Sequence, residues 1–582
     1  VARDFKAGEK GRDDLFAETP PLEAKRILLS RAATQRKDGK WRSLMFIDAK
    51  KAHLNPKCED DVYIDLPEEV GAGKGMCGKL VHWLYGFRPA AAAWEKFYAE
   101  KFESKGFKRG LTCGVVFYHP ELDVSMAVHG DDFTLCGLEA DLWKVKKWMD
   151  GWFEVKVRGV LGGSDRSQTE VTILGRTVEW TPEGIKYRAD DKHRDMLLEY
   201  FGFKGNSAPL ASNGDTSTKV EAWHSEPLGK TEATAYRGLA ARLNYMSQDC
   251  PDLQFPIKEV SRDMANPTKG SWLKIKKVAR YLLNREAVVW EFPWQKESEV
   301  TANLMTDSDW GGTSKDRKST SGGVWCLGRH CIKTWAATQG AYALSSAEAE
   351  LYAMIEGVTR AKGLANLARE LGFGGLSEVI TLGVDSEAAK SFVNRRGLGK
   401  MRHLEIRDLW LQKEVQEGKL IVRKILGTEN PADLMTKILR WSEVMGRLGR
   451  MGIAACSRAS LLTPSMQSFQ CLLSCTLAAI TSIACVSVDC EAMSSPPSSP
   501  RADANAKKAG GEGLATKASG EIGEAPSANE VRRDEEARKA WGERQGAAYG
   551  TASEREDSVS EAGNSFTHLH DGRLTDLAAS EG

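Results

Sequence analysis

Four short pieces between Thr306 and Lys437 constrain this chain more than any other feature, because each presents a carboxylate between apolar neighbours. They are TDSDWGG (Thr306–Gly312), SSAEAELYA (Ser345–Ala353), VDSEAA (Val384–Ala389) and NPADLMTK (Asn430–Lys437). The flanking residues predict that each carboxylate lies at a strand end or on a buried helix face. Separate elements delivering Asp, Glu, Asp and Asp to one place is what a two-metal phosphodiester hydrolase requires. Two divalent cations ~4 Å apart then clamp the attacking water and the leaving oxygen, and carboxylates are their natural hard ligands. A lone Asp in such a loop reads as a turn or cap residue. Four in order point to a site.

The second piece offers two acids. Ser345-Ser-Ala-Glu348 has the capping-box pattern, in which the Glu side chain reaches back to the N-cap amide. Glu350 sits about 200° further around a helix of 3.6 residues per turn, so the two cannot share a face. Glu350 is the expected ligand and Glu348 the reserve. Ala347–Leu371 is expected to be one long helix or two stacked ones, and Arg402–Glu417 a second helix carrying His403 on its exposed side.

Nearer the start, Ser43–Ile47 reads as a buried strand ending at Asp48 in FIDAKKAHLNP. Val124–Val128 and Phe133–Cys136 read as a hairpin joined by His129-Gly-Asp-Asp132, where Gly130 supplies turn freedom. One Asp at a strand end and an Asp pair at a hairpin tip outline a second two-metal site, with room for a nucleotide triphosphate. A plain turn is the competing reading of the hairpin alone. Further on, Lys269, Lys274, Lys276, Lys277 and Arg280 share a helical stretch with Trp272 and Tyr281. This makes a basic helix with aromatics, suited to a nucleic-acid backbone. A solvated helix face is the alternative.

At 582 residues the chain is too long for one core. Its formal net charge of +1 is unevenly spread: 11 basic and 17 acidic residues follow from Glu491 onward, leaving 70 and 63 before it, an excess of +7. That excess is compatible with phosphate contacts. Twelve cysteines without CxxC pairing read as reduced thiols. The chain opens on Val1 without a signal peptide, and a missing N-terminus is expected. Gln470–Val488 is uncharged and about long enough to span a bilayer; its Ser, Thr and Cys content disfavours that reading. From Met493 onward Pro, Ser, Gly and Ala dominate, as in disordered segments.

The four acidic pieces, with DRKSTSGG (Asp316–Gly323) between the first two, resemble the ribonuclease H domain of copia-type LTR-retrotransposon polyproteins. That family reads like SDADWAG, DRKSTSG, LSSxEAEYxA, DNxSA and ADxLTK in the same order. FIDAKKAHLNP, LYGFRPAAAAW (Leu84–Trp94) and HGDD resemble the reverse-transcriptase palm of the same polyproteins. The resemblance implies an α+β multidomain chain: a palm-type antiparallel sheet with helices, then a ribonuclease H-like mixed α/β domain and a disordered C-terminal tail. It implies a partial reverse transcriptase over 1–190, a thumb or connection region over 191–298 and the ribonuclease H-like domain over 299–440. A linker with the uncharged segment (441–490) and a low-complexity tail (491–582) would follow.

Carried over, the catalytic and metal-binding acids would be Asp48, Asp131 and Asp132 in one site and Asp307, Glu350, Asp385 and Asp433 in the other. Each site would take two Mg²⁺, with Mn²⁺ as a substitute. Lys269, Lys274, Lys277 and Arg280 would bind nucleic acid, with His403 and Glu348 as auxiliaries. The implied activities are RNA-directed DNA polymerase and ribonuclease H. The implied partners are an RNA template, RNA–DNA hybrid and deoxynucleotide triphosphates, in an intracellular setting (a cytoplasmic particle or the nucleus). Pro89, Ala91 and Ala92 replace the family's Gln, Pro and Arg, and His129 replaces its Tyr. These changes bear on polymerisation and leave the hydrolytic acids intact. A decayed or co-opted remnant that binds nucleic acid without polymerising is the alternative.

Overall fold

A computed structural model describes residues 15–66, 68–71, 73, 75–164, 167–204, 210, 212–214, 222–312, 316–399 and 401–458. They fall into two compact units. The larger draws on Val1–Asp195 and Ser207–Leu461, and the described part of the second is 196–204. That second part holds the end of helix Lys192–Tyr200 and the turn after it.

Three main sheets build the larger unit. The first is antiparallel with six strands, in the order Lys108–Arg109, Val116–His119, Val124–His129, Asp132–Gly137, Ser43–Ala49, Val155–Leu161. Its interior strands are apolar on both faces: Leu44, Met45, Val128, Leu135 and Phe133 are all buried, as expected where helices cover the sheet. Helix Ala90–Glu103 supplies Trp94, Tyr98 and Phe102 to this core, and the Trp94 indole donates to the Gly130 carbonyl at 2.9 Å. The LYGFRPAAAAW piece thereby anchors the hairpin tip.

The second sheet, also antiparallel, runs Glu170–Ile173, Arg176–Thr181, Gly184–Ala189, Ala287–Pro293, Ile453–Cys456. Residues 441–456 are therefore not a bare linker. Helix Trp441–Arg450 buries Val444 and Leu448, and the strand after it completes this sheet. The expected boundary at 190 separates strands that pair with each other.

The third sheet is mixed. Its order is His330–Thr338, Thr320–Leu327, Ala302–Ser308, Ile380–Val384, Leu420–Lys424, the first three antiparallel and the last two joined in parallel. Helix Ser346–Glu370 lies across it as one continuous helix. The approach is close: a Cβ on Gly357 would stand 2.5 Å from Thr306 Cγ2, so a side chain there would push the helix off the central strand.

Helix Leu22–Ala32 sits at the centre of the unit and is buried on nearly every side, two arginines included. Arg26 donates to Asp249, which also accepts from Arg176 and from the Tyr187 hydroxyl. Buried charge persists only when paired and hydrogen-bonded in this way. The helix ties the sheets together, reaching Ser125 in the first, Trp290 in the second and the Ile332 carbonyl in the third.

Two expectations need correction. Arg402–Glu417 is not one helix: a turn precedes a 3-10 segment, Ile406–Leu409, and the α-helix covers only Trp410–Gln416. The aromatics of the basic helix Lys269–Asn284 do not face nucleic acid either. Trp272 and Tyr281 are buried, and Tyr281 donates to Asp252 at 2.8 Å. Their apolar bodies are worth more in the core than on a solvated face.

Candidate active site

The central strand Ala302–Ser308 carries Asp307 to its C-terminal end, flanked on both sides and 1 % exposed. Strand Ile380–Val384 runs parallel to it, pairing Met305 with Gly383, so both strands end at the same edge of the sheet. Asp385 follows at once, and Ser386 caps the next helix by accepting from the Ala389 amide at 3.2 Å. On the third element, Ser345 is the N-cap of helix Ser346–Glu370 and accepts from the Glu348 amide at 3.2 Å. Glu350 then lies one turn in, over the strand end.

The result is a cluster: one ligand oxygen each from Asp307, Glu350 and Asp385 lies within 4.8 Å of the others. Burial pushes Asp307 from 3.8 up to about 7, a rise that Lys437 opposes and Asp433 adds to. Glu350 rises to about 8 through burial and the charges of Asp307 and Asp385. Glu350 Oε1 accepts from the Ser308 amide at 3.2 Å, and its buried Oε2 has no hydrogen-bond partner. Crowded, desolvated oxygens with an unsatisfied atom among them fit a hard divalent cation, which prefers all-oxygen ligation.

Asp433 occupies the 3-10 turn Pro431–Met435, which Asn430 pins to the central strand by donating to the Thr306 carbonyl at 2.9 Å. Its carboxylate pairs with Lys437 and, at 2.9 Å, with Arg447. Lys437 also stands 3.4 Å from Asp307, and the Thr436 hydroxyl donates to Asp307. A cationic side chain thus stands between Asp433 and Asp307. Thr436 and Lys437 went unread at the sequence level. The i, i+4 spacing of Asp433 and Lys437 was the available signal.

Glu348 turns away from the cluster. It accepts from the Leu344 amide at 3.0 Å, one residue before the N-cap, and from the Tyr352 hydroxyl at 2.9 Å. His403 Nε2 lies 2.9 Å from the same carboxylate, so this ring is held beside the helix start; it is exposed, as expected, but stands in the turn before the 3-10 segment and not on a helix.

In the first sheet, Asp48 and Asp132 are direct partners on adjacent antiparallel strands. Asp131 is exposed at the tip, and its carbonyl accepts from the Ala49 amide at 2.8 Å. Arg158 Nη2 stands 2.5 Å from Asp48 Oδ1 and 3.5 Å from Asp132 Oδ1. Among the described residues the one carboxylate trio within 4.8 Å is that of Asp307, so Asp48, Asp131 and Asp132 do not form a second. With an arginine already on two of its oxygens, this donor set does not fit a metal ion as it stands. His129 falls to about 4 through burial, with Lys25 and Arg176 adding to the effect, and its ring is neutral.

On the basic helix, Lys269 pairs with Glu226 at 2.5 Å and Lys274 with Asp263 at 2.9 Å. Lys277 and Arg280 lie further along it and also have interactions of their own. No described helix is long and apolar enough to cross a membrane. Gln470–Val488 and the tail lie outside the described residues.

No family model matches the chain. It is similar to the retrovirus-related Pol polyprotein from transposon TNT 1-94 of Nicotiana tabacum, 27% identical over 440 residues, covering 73% of this chain and 32% of the relative. The retrovirus-related Pol polyprotein from transposon RE2 of Arabidopsis thaliana is 25% identical over 407 residues, covering 68% and 26%. The chain thus spans about a third or less of the length of these relatives. A crystal structure of LC11-RNase H1 in complex with RNA/DNA hybrid aligns with 23% of this chain and 94% of its own, at 14% identity and TM-score 0.16.

Proposed function

We propose, on the similarity of the chain to retrovirus-related Pol polyproteins from transposons, that the cluster around Asp307 hydrolyses the RNA strand of an RNA–DNA hybrid. The observation that carries this reading is the convergence of Asp307, Glu350 and Asp385 at one sheet edge. We further propose that the sheet bearing Asp48 and Asp132 is a reverse-transcriptase palm, which would make the chain part of an RNA-directed DNA polymerase. Its substrates would be an RNA template and deoxynucleotide triphosphates.

The three clustered acids would hold the divalent ions, with Asp433 joining once Lys437 moves aside. Bound there, such ions supply Lewis acidity and a nucleophilic hydroxide at neutral pH. The chain's own groups set the stage. Burial of Asp307 and Glu350 strengthens every charge interaction in the cluster. Lys437, held between Asp307 and Asp433, can turn toward a phosphate that approaches the sheet edge, offering one positive charge to its oxygens. His403, fixed by Glu348, stands beside the helix that carries Glu350.

The test is cleavage of a labelled RNA–DNA hybrid by the full chain. Product that requires Mg²⁺ or Mn²⁺ and disappears in Asp385→Asn supports the reading. A chain that leaves the hybrid intact with both metals overturns it.

A further inference from the structure

Strand Val155–Leu161 pairs with Ser43–Ala49 in a register that slips once. Ile47 stands opposite Val157 and Phe46 opposite Gly159, so Arg158 is the extra residue of a β-bulge. Bulges beside functional sites re-aim a side chain, and this one directs Arg158 to Asp48 and Asp132.

The bulge is braced by its neighbour. A Cβ on Gly159 would stand 2.2 Å from Gln168 Oε1 and 2.4 Å from Val171 Cγ2, so any larger residue there would have to displace the Gln168 and Val171 side chains. Lys156, directly opposite Asp48, adds a second positive charge on that neighbouring strand. A guanidinium keeps its charge at any ordinary pH. Proton loss therefore cannot vacate the position, and a competing cation must displace it.

We propose that Arg158 is a built-in counter-ion of the Asp48–Asp132 pair, a gate that must swing out before a divalent cation can bind there. The proposal rests on the palm reading above and goes beyond it. It makes the two carboxylate sites unequal: Lys437 and Thr436 reach Asp307, but Glu350 beside it keeps an unpartnered buried oxygen, whereas Arg158 spans both acids of the Asp48 pair. Arg158 is a positioning residue in this account, acting through the carboxylates it holds.

Mn²⁺ binding to the full chain, followed by electron paramagnetic resonance, tests this without any activity assay. Asp385→Asn serves as background to weaken the other cluster. Arg158→Leu and the better-matched Arg158→Gln should each gain a Mn²⁺ site about tenfold tighter than the parent, and adding Asp48→Asn should remove it. Arg158→Lys, which keeps the charge, should bind weakly like the parent. Melting curves followed by circular dichroism identify any variant that has lost its fold, which is why two neutral replacements are used. Parent and neutral variants binding Mn²⁺ equally tightly at Asp48 would sink the gate and leave the palm reading standing. Folded neutral variants with no Asp48-dependent Mn²⁺ would sink the palm metal site itself, and the gate with it.

Discussion

Glu348 and Glu350 lie two residues apart on one helix and serve opposite sides of it: Glu350 faces Asp307 and Asp385, while Glu348 is held by Leu344, Tyr352 and His403. Their substitutions should separate cleanly. Glu350→Gln is expected to lower hybrid cleavage by about a hundredfold or more, the scale for losing a charge-stabilising group in a dry site. Glu348→Gln should cost cleavage about tenfold, the low end for a partner that supports a site without touching it. Glu348→Ala should also lose about 1–2 kcal/mol of stability with its helix-start hydrogen bonds. Cleavage rates and urea melts of the variants check both; equal loss of cleavage would overturn the separation, and a larger loss at Glu348 would reverse the assignment.

The pH dependence of stability follows from the raised carboxyl groups. Asp307 goes from 3.8 to about 7 and Glu350 from 4.5 to about 8. A folded acid with a raised value binds its proton more tightly than the unfolded chain does. Stability from these two groups is therefore full below their unfolded values and is lost as pH rises through their folded ones. Thermal melts of the metal-free protein should fall between pH 4 and 8 on this account, and Mg²⁺ should restore stability at pH 8. Glu350→Gln should flatten the fall. A melting temperature that does not respond to Mg²⁺ at pH 8 would contradict the site.

Asp249 should be a point of collapse. It accepts from Arg26, Arg176 and Tyr187 while 2 % exposed, and Asp249→Asn leaves two buried guanidinium groups short of charge. About 3–5 kcal/mol of stability should go, read by urea denaturation. A loss under about 1 kcal/mol would mean the network is dispensable.

Gly357→Leu should be felt at the active site although it lies two turns from Glu350. The new side chain has no room against Thr306, and overpacking of this kind costs about 1–3 kcal/mol. Cleavage should fall with stability, since the strand pushed away carries Asp307. A stable, fully active Gly357→Leu would show that the helix can shift freely.

The two proposed activities should be separable. Asp131→Asn is expected to abolish any primer extension and leave hybrid cleavage largely untouched. The unmodified chain should extend primers poorly, because Pro89, Ala91 and Ala92 stand where polymerase positioning residues are expected, and errors of about 1 Å can cost roughly a hundredfold. Extension and cleavage measured on one preparation decide it; equal loss of both in Asp131→Asn would argue against separate sites.

What the sequence determined by itself is local. The order of the acidic pieces, the HGDD hairpin, the cap at Ser345 and the opposed directions of Glu348 and Glu350 all follow from turn chemistry, capping and helical period, which act within a few residues. The convergence of Asp307, Glu350 and Asp385 was legible as an expectation from that order. Which charges meet was not. Lys437 standing between Asp433 and Asp307, Arg158 reaching Asp48 across 110 residues, and the burial of Arg26, Trp272 and Tyr281 depend on strand register, one β-bulge and the helices packed over the sheets. A residue type states what an ion pair could be. Only the tertiary structure brings its partner within Coulombic range and removes the water that would screen it.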